Sequence, residues 1–222
     1  MTAGYERPPD AFSLAAAALA AGESDDLCSP LRAAVAMPGA VVSTLGSPMG
    51  SQTVCASSTL GARIDEIQID LGEGPSWEAL RTRRPVAAAD LQANGGARWP
   101  GAWAALRALE VTSLYAFPLF IGKLSIGSIA LYSAAARELS GADVAGMSRL
   151  AAIVSGTLLR RALDRLEVVG AEAPDEPIPV GRCTRRPAWS RPETGSMWTM
   201  LSCSSAVTHT RRAAPCATSL LT

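Results

Sequence analysis

The residues able to do chemistry in this chain are few, and their placement excludes more than it permits. The one histidine, His209, lies far toward the C-terminus, beyond every segment with a periodic apolar pattern. The part that can fold therefore lacks the base for Ser-His-acid and Cys-His mechanisms, and it lacks imidazole for a metal site. Five cysteines, with no Cys-x-x-Cys pair, give neither a disulfide framework nor a zinc site. Cys28 and Cys55 read as small buried residues. No residue is assigned to catalysis and none to a metal. Two groups remain. Trp99 and Trp103 stand at i and i+4 and should face the same way, either lining a pocket or capping the core. Arg81, Arg83 and Arg84 form a basic cluster that reads as a solvated surface turn, with an anion site as the alternative.

The elements that must hold these residues follow from the apolar pattern. Ala11 to Ala21 is rich in strong helix formers, and a second helical stretch, Cys28 to Met37, ends at Pro38-Gly39. Strands Ala40 to Leu45 and Gln52 to Ser57 flank the turn Gly46-Ser47-Pro48-Met49-Gly50. Ala62 to Leu71 fits helical spacing at Ile64, Ile67 and Leu71, while Ile67-Gln68-Ile69 alternates like a strand. Ser76 to Thr82 is a helix, with Ser76 as its cap or Pro75 in its first turn and the acid Glu78 near its positive end. A strand Val86 to Ala89, a loop Gln92 to Gly96 and a helix Trp99 to Ala108 come next. Ser113 to Phe120 and Ser125 to Tyr132 form a hairpin around Gly122-Lys123. Pro118 belongs at an edge or bulge, and Gly127 at a close crossing of another backbone or side chain. Ser140 is a good N-cap for a long helix, Gly141 to Leu166, whose stripe contains Val144, Met147, Leu150, Ala151, Val154, Leu158, Ala162 and Leu166.

Five pieces in a fixed order carry a resemblance: Leu71-Gly72-Glu73-Gly74-Pro75-Ser76-Trp77, Pro85 to Leu91, Arg98-Trp99-Pro100, Phe117-Pro118-Leu119 and Ile126-Gly127-Ser128-Ile129. Together they make residues 10 to about 166 similar to bacterial GAF domains. The resemblance implies an α+β fold, a central antiparallel sheet with helices on one side and a small-molecule pocket on the other, and a regulatory role more often than a catalytic one. By resemblance, Ala62 to Leu71 is helical or irregular, and the pocket candidates are Trp99, Trp103, Tyr115 and Phe117, whose segments surround the open face. Ser76 stands where the family often has cysteine, which argues against thiol chemistry at that turn. No cofactor or ligand is identified.

The bounds agree with a small sensor. The chain has 222 residues, 48 % hydrophobic content and a mean hydropathy of +0.18, enough for a real core in one domain plus an appendage or in two small domains. A net charge of +0 and a pI of 6.6 leave no nucleic-acid or membrane footprint over the whole chain. The polar start, residues 1–9, is read as flexible and has neither a signal peptide nor a spanning segment, so a cytoplasmic protein is expected. On the long helix, Leu159, Leu163 and Leu166 widen and extend the stripe beyond what one small domain covers. That implies a two-fold homodimer seam, unless the last turns fold back on their own domain.

After the sensor, residues 169–181 read as an acidic, proline-broken linker. Residues 182–222 read as an unstructured tail in which Arg182, Arg185, Arg186, Arg191, Arg211 and Arg212 meet almost no acid. Trp189, Trp198 and three cysteines are unusual there, and the composition fits a high-GC gene read in a displaced frame. A reading shifted by two nucleotides permits an Ala-Val-His-Ala-Ala-Thr-Gly-Met-Val-like string from Arg182 to Ser190, and Met197-Trp198-Thr199 forces valine and then aspartate. These strings resemble ANTAR, an RNA-binding module placed directly after GAF domains in actinobacterial antitermination regulators. RNA is thus an expected partner only where that frame is intact. Three functions compete: a GAF sensor with an RNA-binding output, a GAF-fold free methionine sulfoxide reductase using cysteine pairs, and a dimerisation module without ligand.

Overall fold

A computed structural model describes residues 10–22 and 25–171, excepting the side chains of 94, 95 and 166–171. At its centre is a five-stranded antiparallel sheet in the order β2-β1-β5-β4-β3. The strands are β1 (Gly39–Thr44), β2 (Gln52–Ala56), β3 (Val86–Ala88), β4 (Ser113–Ile121) and β5 (Leu124–Ser133). The helices are α1 (Ala11–Ala21), α2 (Cys28–Ala34), α3 (Thr59–Leu71), α4 (Pro75–Thr82), α5 (Leu91–Arg98), α6 (Pro100–Arg107) and α7 (Gly141–Ala171).

Strand alternation sends neighbouring residues to opposite faces, and here both faces are covered. Val42, Tyr115, Phe117, Leu119, Ile129 and Leu131 pack with α1, α2 and α7. Val41, Leu114, Ala116, Ala130 and Tyr132 pack with α3, α4 and α6. The expected antiparallel sheet flanked by helices is found, and the face expected to hold a pocket is itself roofed by short helices. Central strands buried on both sides read as continuous apolar runs, as β4 does.

Register is pinned at marked positions. A Cβ on Gly127 would lie 1.9 Å from the Ser43 carbonyl oxygen, so the close crossing expected there is the β1 backbone. Pro118 lies past the last β3 partner, Val86 opposite Ala116, and one residue before the register shift at Leu119/Phe120, so its missing N–H breaks no ladder to β3. The Tyr132 ring lies over Gly39, and its hydroxyl reaches the Ser58 hydroxyl at 2.7 Å.

Helix ends follow capping chemistry. Ser140 caps α7: its hydroxyl accepts from Asp143 N–H at 3.1 Å, and the Asp143 carboxylate accepts from Ser140 N–H at 3.2 Å. Ser58 caps α3, which starts at Thr59 and settles the helix-or-strand ambiguity at Ile67-Gln68-Ile69 as helix. The buried residues of α7 include Met147, Leu150, Ala151, Val154 and Leu158, all on the expected stripe. Gly141–Arg165 is long and apolar enough to cross a membrane, but this stripe is spent on the sheet and α1.

One element departs from expectation. Gln92 to Gly96 is not a loop but the body of α5. Asp90 caps it by accepting from Ala93 N–H at 3.0 Å, Leu91 is fully buried, and the Trp103 ring lies against Gly96. Tertiary packing overrides the poor helix propensity of two glycines.

Candidate functional site

The two motif turns of the sequence meet on the α3–α6 face. Gly72 ends α3 in a left-handed conformation at φ 61°, and Gly74 at φ 123° precedes Pro75, the first residue of α4. A side chain at Gly74 would collide with Gln68, its would-be Cβ lying 2.7 Å from Oε1. Between these glycines, Glu73 reaches across and caps α6, accepting from Gly101 N–H at 3.0 Å and Ala102 N–H at 3.1 Å. Glu78, in the first turn of α4, accepts from Arg98 at 2.5 Å and from the Trp99 indole N–H at 2.8 Å. Arg98 also stacks on Trp99, 4.4 Å from the ring centroid. The Gly-Glu-Gly-Pro turn and the Arg-Trp-Pro corner are thus two halves of one clamp.

Beneath that clamp lies a buried polar cluster. Asp65 and Gln68, one turn apart on α3, are both fully buried, as are Ser76 on α4 and Ser128 on β5, with Ser43 of β1 nearly so. Asp65 Oδ2 accepts from the Thr53 hydroxyl at 2.6 Å. Gln68 accepts from Ser76 N–H at 3.0 Å through Oε1, and its backbone carbonyl accepts from the Trp77 indole at 2.6 Å. Two oxygens remain unsatisfied, Asp65 Oδ1 and Ser76 Oγ. Burial pushes the Asp65 carboxyl above the usual carboxylate range, opposed more weakly by the Thr53 and Ser43 hydroxyls. A buried carboxyl and a buried hydroxyl without a partner, both shielded from water, suit a small polar ligand that brings donors and acceptors of its own. Among the described residues no group of three His, Cys, Asp or Glu could hold a metal.

The four pocket candidates divide between the faces. Trp99 and Trp103 are on this side, but both indoles are in structural use: Trp99 on Glu78 and Trp103 on the Leu91 carbonyl at 3.0 Å. Tyr115 and Phe117 point to the other face. There the Tyr115 hydroxyl donates to the Arg137 carbonyl at 2.6 Å, and Phe117 is fully buried in the α1–α2–α7 core. They are on the opposite side of the sheet from the tryptophans, because Tyr115, Phe117 and Leu119 alternate with Leu114 and Ala116 along β4. Ser76, noted in the sequence only as a cap or in the place of a cysteine, is fully buried beside Gln68.

On α7, Leu163 is 51 % exposed, whereas Leu159 already packs against its own core. The Leu166 side chain, the expected linker from residue 172 on and the expected tail, residues 182–222, lie outside the described residues, while 169–171, expected in the linker, are the last turn of α7. In the basic cluster, Arg83 is not merely solvated. Its guanidinium donates to the Gly122 carbonyl at 2.8 Å and stands over the Phe120 ring at 5.3 Å, pinning the β4–β5 turn.

Cys28 is buried as expected and Cys55 half-buried against the same core, but the expectation that they form no disulfide is corrected. Cys28 and Cys55 form a disulfide, with their Cα atoms 6.2 Å apart, between the first turn of α2 and β2. It sits with the α7 core and not with the polar cluster.

The sequence profile of the GAF domain family matches residues 30–159. The chain belongs to the GAF domain family. Solved structures agree in fold. The GAF domain of an Acinetobacter phosphoenolpyruvate-protein phosphotransferase is 11 % identical at a TM-score of 0.53, covering 69 % of this chain and 93 % of that one. The GAF domain of a sensor histidine kinase from Pseudomonas syringae pv. tomato is 15 % identical at 0.50, covering 72 % and 91 %. A phycoerythrobilin-bound GAF domain from a cyanobacterial phytochrome is 14 % identical at 0.50, covering 70 % and 96 %. No curated protein matches the sequence significantly. GAF domains are typical of sensory and regulatory proteins, and that coarse role is the one this membership carries.

Proposed function

We propose that this GAF domain is a cytoplasmic sensor that binds a small polar molecule between α3, α4 and the sheet, and passes its occupancy through α7 to an output. The observation that carries this reading is the pair of unsatisfied buried oxygens, Asp65 Oδ1 and Ser76 Oγ, at the foot of a four-helix roof. Such atoms destabilise an empty fold by about 1–3 kcal/mol each, and a bound donor or acceptor removes that penalty. The coupling is a population shift, which needs a ligand with unequal affinity for two arrangements of the roof and α7.

The output is an RNA-binding ANTAR module in an antitermination regulator of the actinobacterial type. This part rests on the strings permitted by the displaced frame after about residue 181. A homodimer through the exposed side of α7 at Leu163 completes the arrangement. No catalytic role is proposed: Cys28 and Cys55 lie outside the positions that match a free methionine sulfoxide reductase, and they pack on the face away from the polar cluster.

Ligand binding is tested by thermal shift with a panel of small polar metabolites, with the phycoerythrobilin held by one structural neighbour as the large-ligand control that should give no gain. A ligand at 100 times its dissociation constant adds about 2.7 kcal/mol. The gain should vanish in Ser76→Ala. A panel in which every gain survives that change would sink the assignment of the site. The RNA part is tested separately, by comparing the given chain with one whose frame is restored on a hairpin and on a scrambled single strand. Only the restored chain should prefer the hairpin.

A further inference from the structure

The disulfide raises a conflict that the sensory reading does not resolve. Cytoplasmic thiols are kept reduced, and disulfides found there are usually transient and redox-sensing. Resting on the proposed cytoplasmic location, we infer that Cys28–Cys55 is a reversible redox modification site, oxidised by a hydroperoxide and reset by a dithiol, that fastens and releases α2 from the edge of the sheet.

The placement of the two sulfurs supports exchange at one end. Cys28 is 1 % exposed, packed with Leu27 and Leu31 in the same core as Leu150 and Val154 of α7. Cys55 is half-buried on β2, the outermost strand, and so can be approached from the open edge. A reductant thiolate attacks the Cys55 sulfur, and Cys28 leaves as thiolate and takes up a proton. The reductant's second thiolate then closes its own disulfide and frees Cys55, so two electrons and two protons reach the pair. Asp26 stands beside Cys28 as an anion, its carboxylate accepting from Cys28 N–H and Ser29 N–H at 3.0 Å each. Cys28 is closed off in the core, so Cys55, on the edge strand, is the sulfur that oxidant and reductant reach. In the forward direction the Cys55 thiolate attacks the hydroperoxide, giving a sulfenic acid and an alcohol. Cys28 then displaces water from that sulfur and restores the disulfide.

The consequence runs to the long helix. The α1–α2 pair lies on α7: Thr157 donates to the Leu19 carbonyl at 3.4 Å, and Arg161 meets Asp25 at 3.4 Å. Releasing α2 from β2 therefore loosens the layer that rests on α7, on the face away from the proposed ligand site. Two inputs would then act on the same helix from opposite sides of the sheet.

The test uses the full chain in its host. Thiols are trapped with N-ethylmaleimide at acid lysis before, during and after a hydrogen peroxide pulse, and trypsin then releases Met1–Arg32 and Ala33–Arg63, each with one of the two cysteines. The peptides should be unlinked before the pulse, linked during it and unlinked again on recovery. On purified chain, amide exchange across Cys28–Ala34 should be at least tenfold faster after dithiothreitol, with α3 unchanged, and Cys28→Ser/Cys55→Ser should match the reduced protein under oxidant. Cell fractionation separates the two ideas. A cytoplasmic chain whose peptides are always linked, or never linked, overturns the redox site and leaves the sensory reading standing. A chain found outside the cytoplasm and linked throughout overturns both the location and the site. Equal exchange of α2 in the two redox states overturns the coupling even where the linkage responds.

Discussion

The two faces of one sheet have been put to different uses. Against α1, α2 and α7, the strands present Val42, Tyr115, Phe117, Leu119, Ile129 and Leu131, a core that is mostly apolar, with Thr44 Oγ1 of β1 a lone buried oxygen without a partner, and that is covalently fastened by Cys28–Cys55. Against α3, α4 and α6, the same strands present Ser43 and Ser128 beside Val41, Leu114 and Ala130, and the helices add Asp65, Gln68 and Ser76. Apolar closure stabilises a fold without specifying a ligand. A buried polar cluster left partly unpaired destabilises it, and is retained where something else completes the pairing. The contrast implies that the α7 face carries stability and transmission while the α3–α6 face carries recognition.

The largest expected effect should fall on the apolar side. Phe117→Ala opens a cavity at the centre of the α7 face and should destabilise by about 3–5 kcal/mol, read by urea denaturation. Loss below 1 kcal/mol would mean that this face does not carry the stability assigned to it. Next is the disulfide. Cys28→Ser/Cys55→Ser should lose about 2–4 kcal/mol relative to the oxidised chain, and nothing relative to the reduced one.

Much of the apolar side was legible beforehand, because β-formers and a helical stripe are periodic signals. The β4–β5 hairpin, Gly127 and the α7 stripe all follow from spacing alone. The polar side was not legible. Asp65 and Gln68 look like surface residues of an amphipathic helix, and only the tertiary fold turns them inward. The α5 helix needed the Asp90 cap and the Trp103 ring, both beyond local propensity. The resemblance places the segments of Tyr115 and Phe117 around the open face with the tryptophans, and a strand buried on both sides gives no sign of which parity faces which layer. Cys28 and Cys55 carry no spacing motif, so their pairing is visible only once α2 and β2 are side by side.

A smaller effect sharpens the comparison on the clamp between α4 and α6. Glu73→Ala removes the acceptor for Gly101 and Ala102 N–H and should cost about 1 kcal/mol, as the loss of an N-cap does. It should also raise amide exchange in α6 while leaving α7 untouched. Equal changes in both helices would show that the two faces are not independent.

The smallest effect in magnitude is the most specific in sign. Asp65 is buried with its carboxyl raised above the ordinary range, the largest cause being loss of solvation. A carboxyl raised in the folded state favours folding most below its unfolded value of 3.8, where both states are protonated. As pH rises through the folded value, the buried group must ionise or the chain must unfold to let it, and that stability is lost. The empty protein should therefore be less stable at pH 7 than just above pH 4, after allowance for the other carboxylates. Asp65→Asn keeps an oxygen to accept from Thr53 but cannot ionise. Melting temperatures of the two proteins should diverge as pH rises, with the variant the more stable at neutral pH. Phe117→Ala should instead lower the melting temperature by the same amount at every pH. Parallel curves for wild type and Asp65→Asn would mean that the carboxyl is already paired, and the α3–α6 face would lose its claim to be the unfinished side of the sheet.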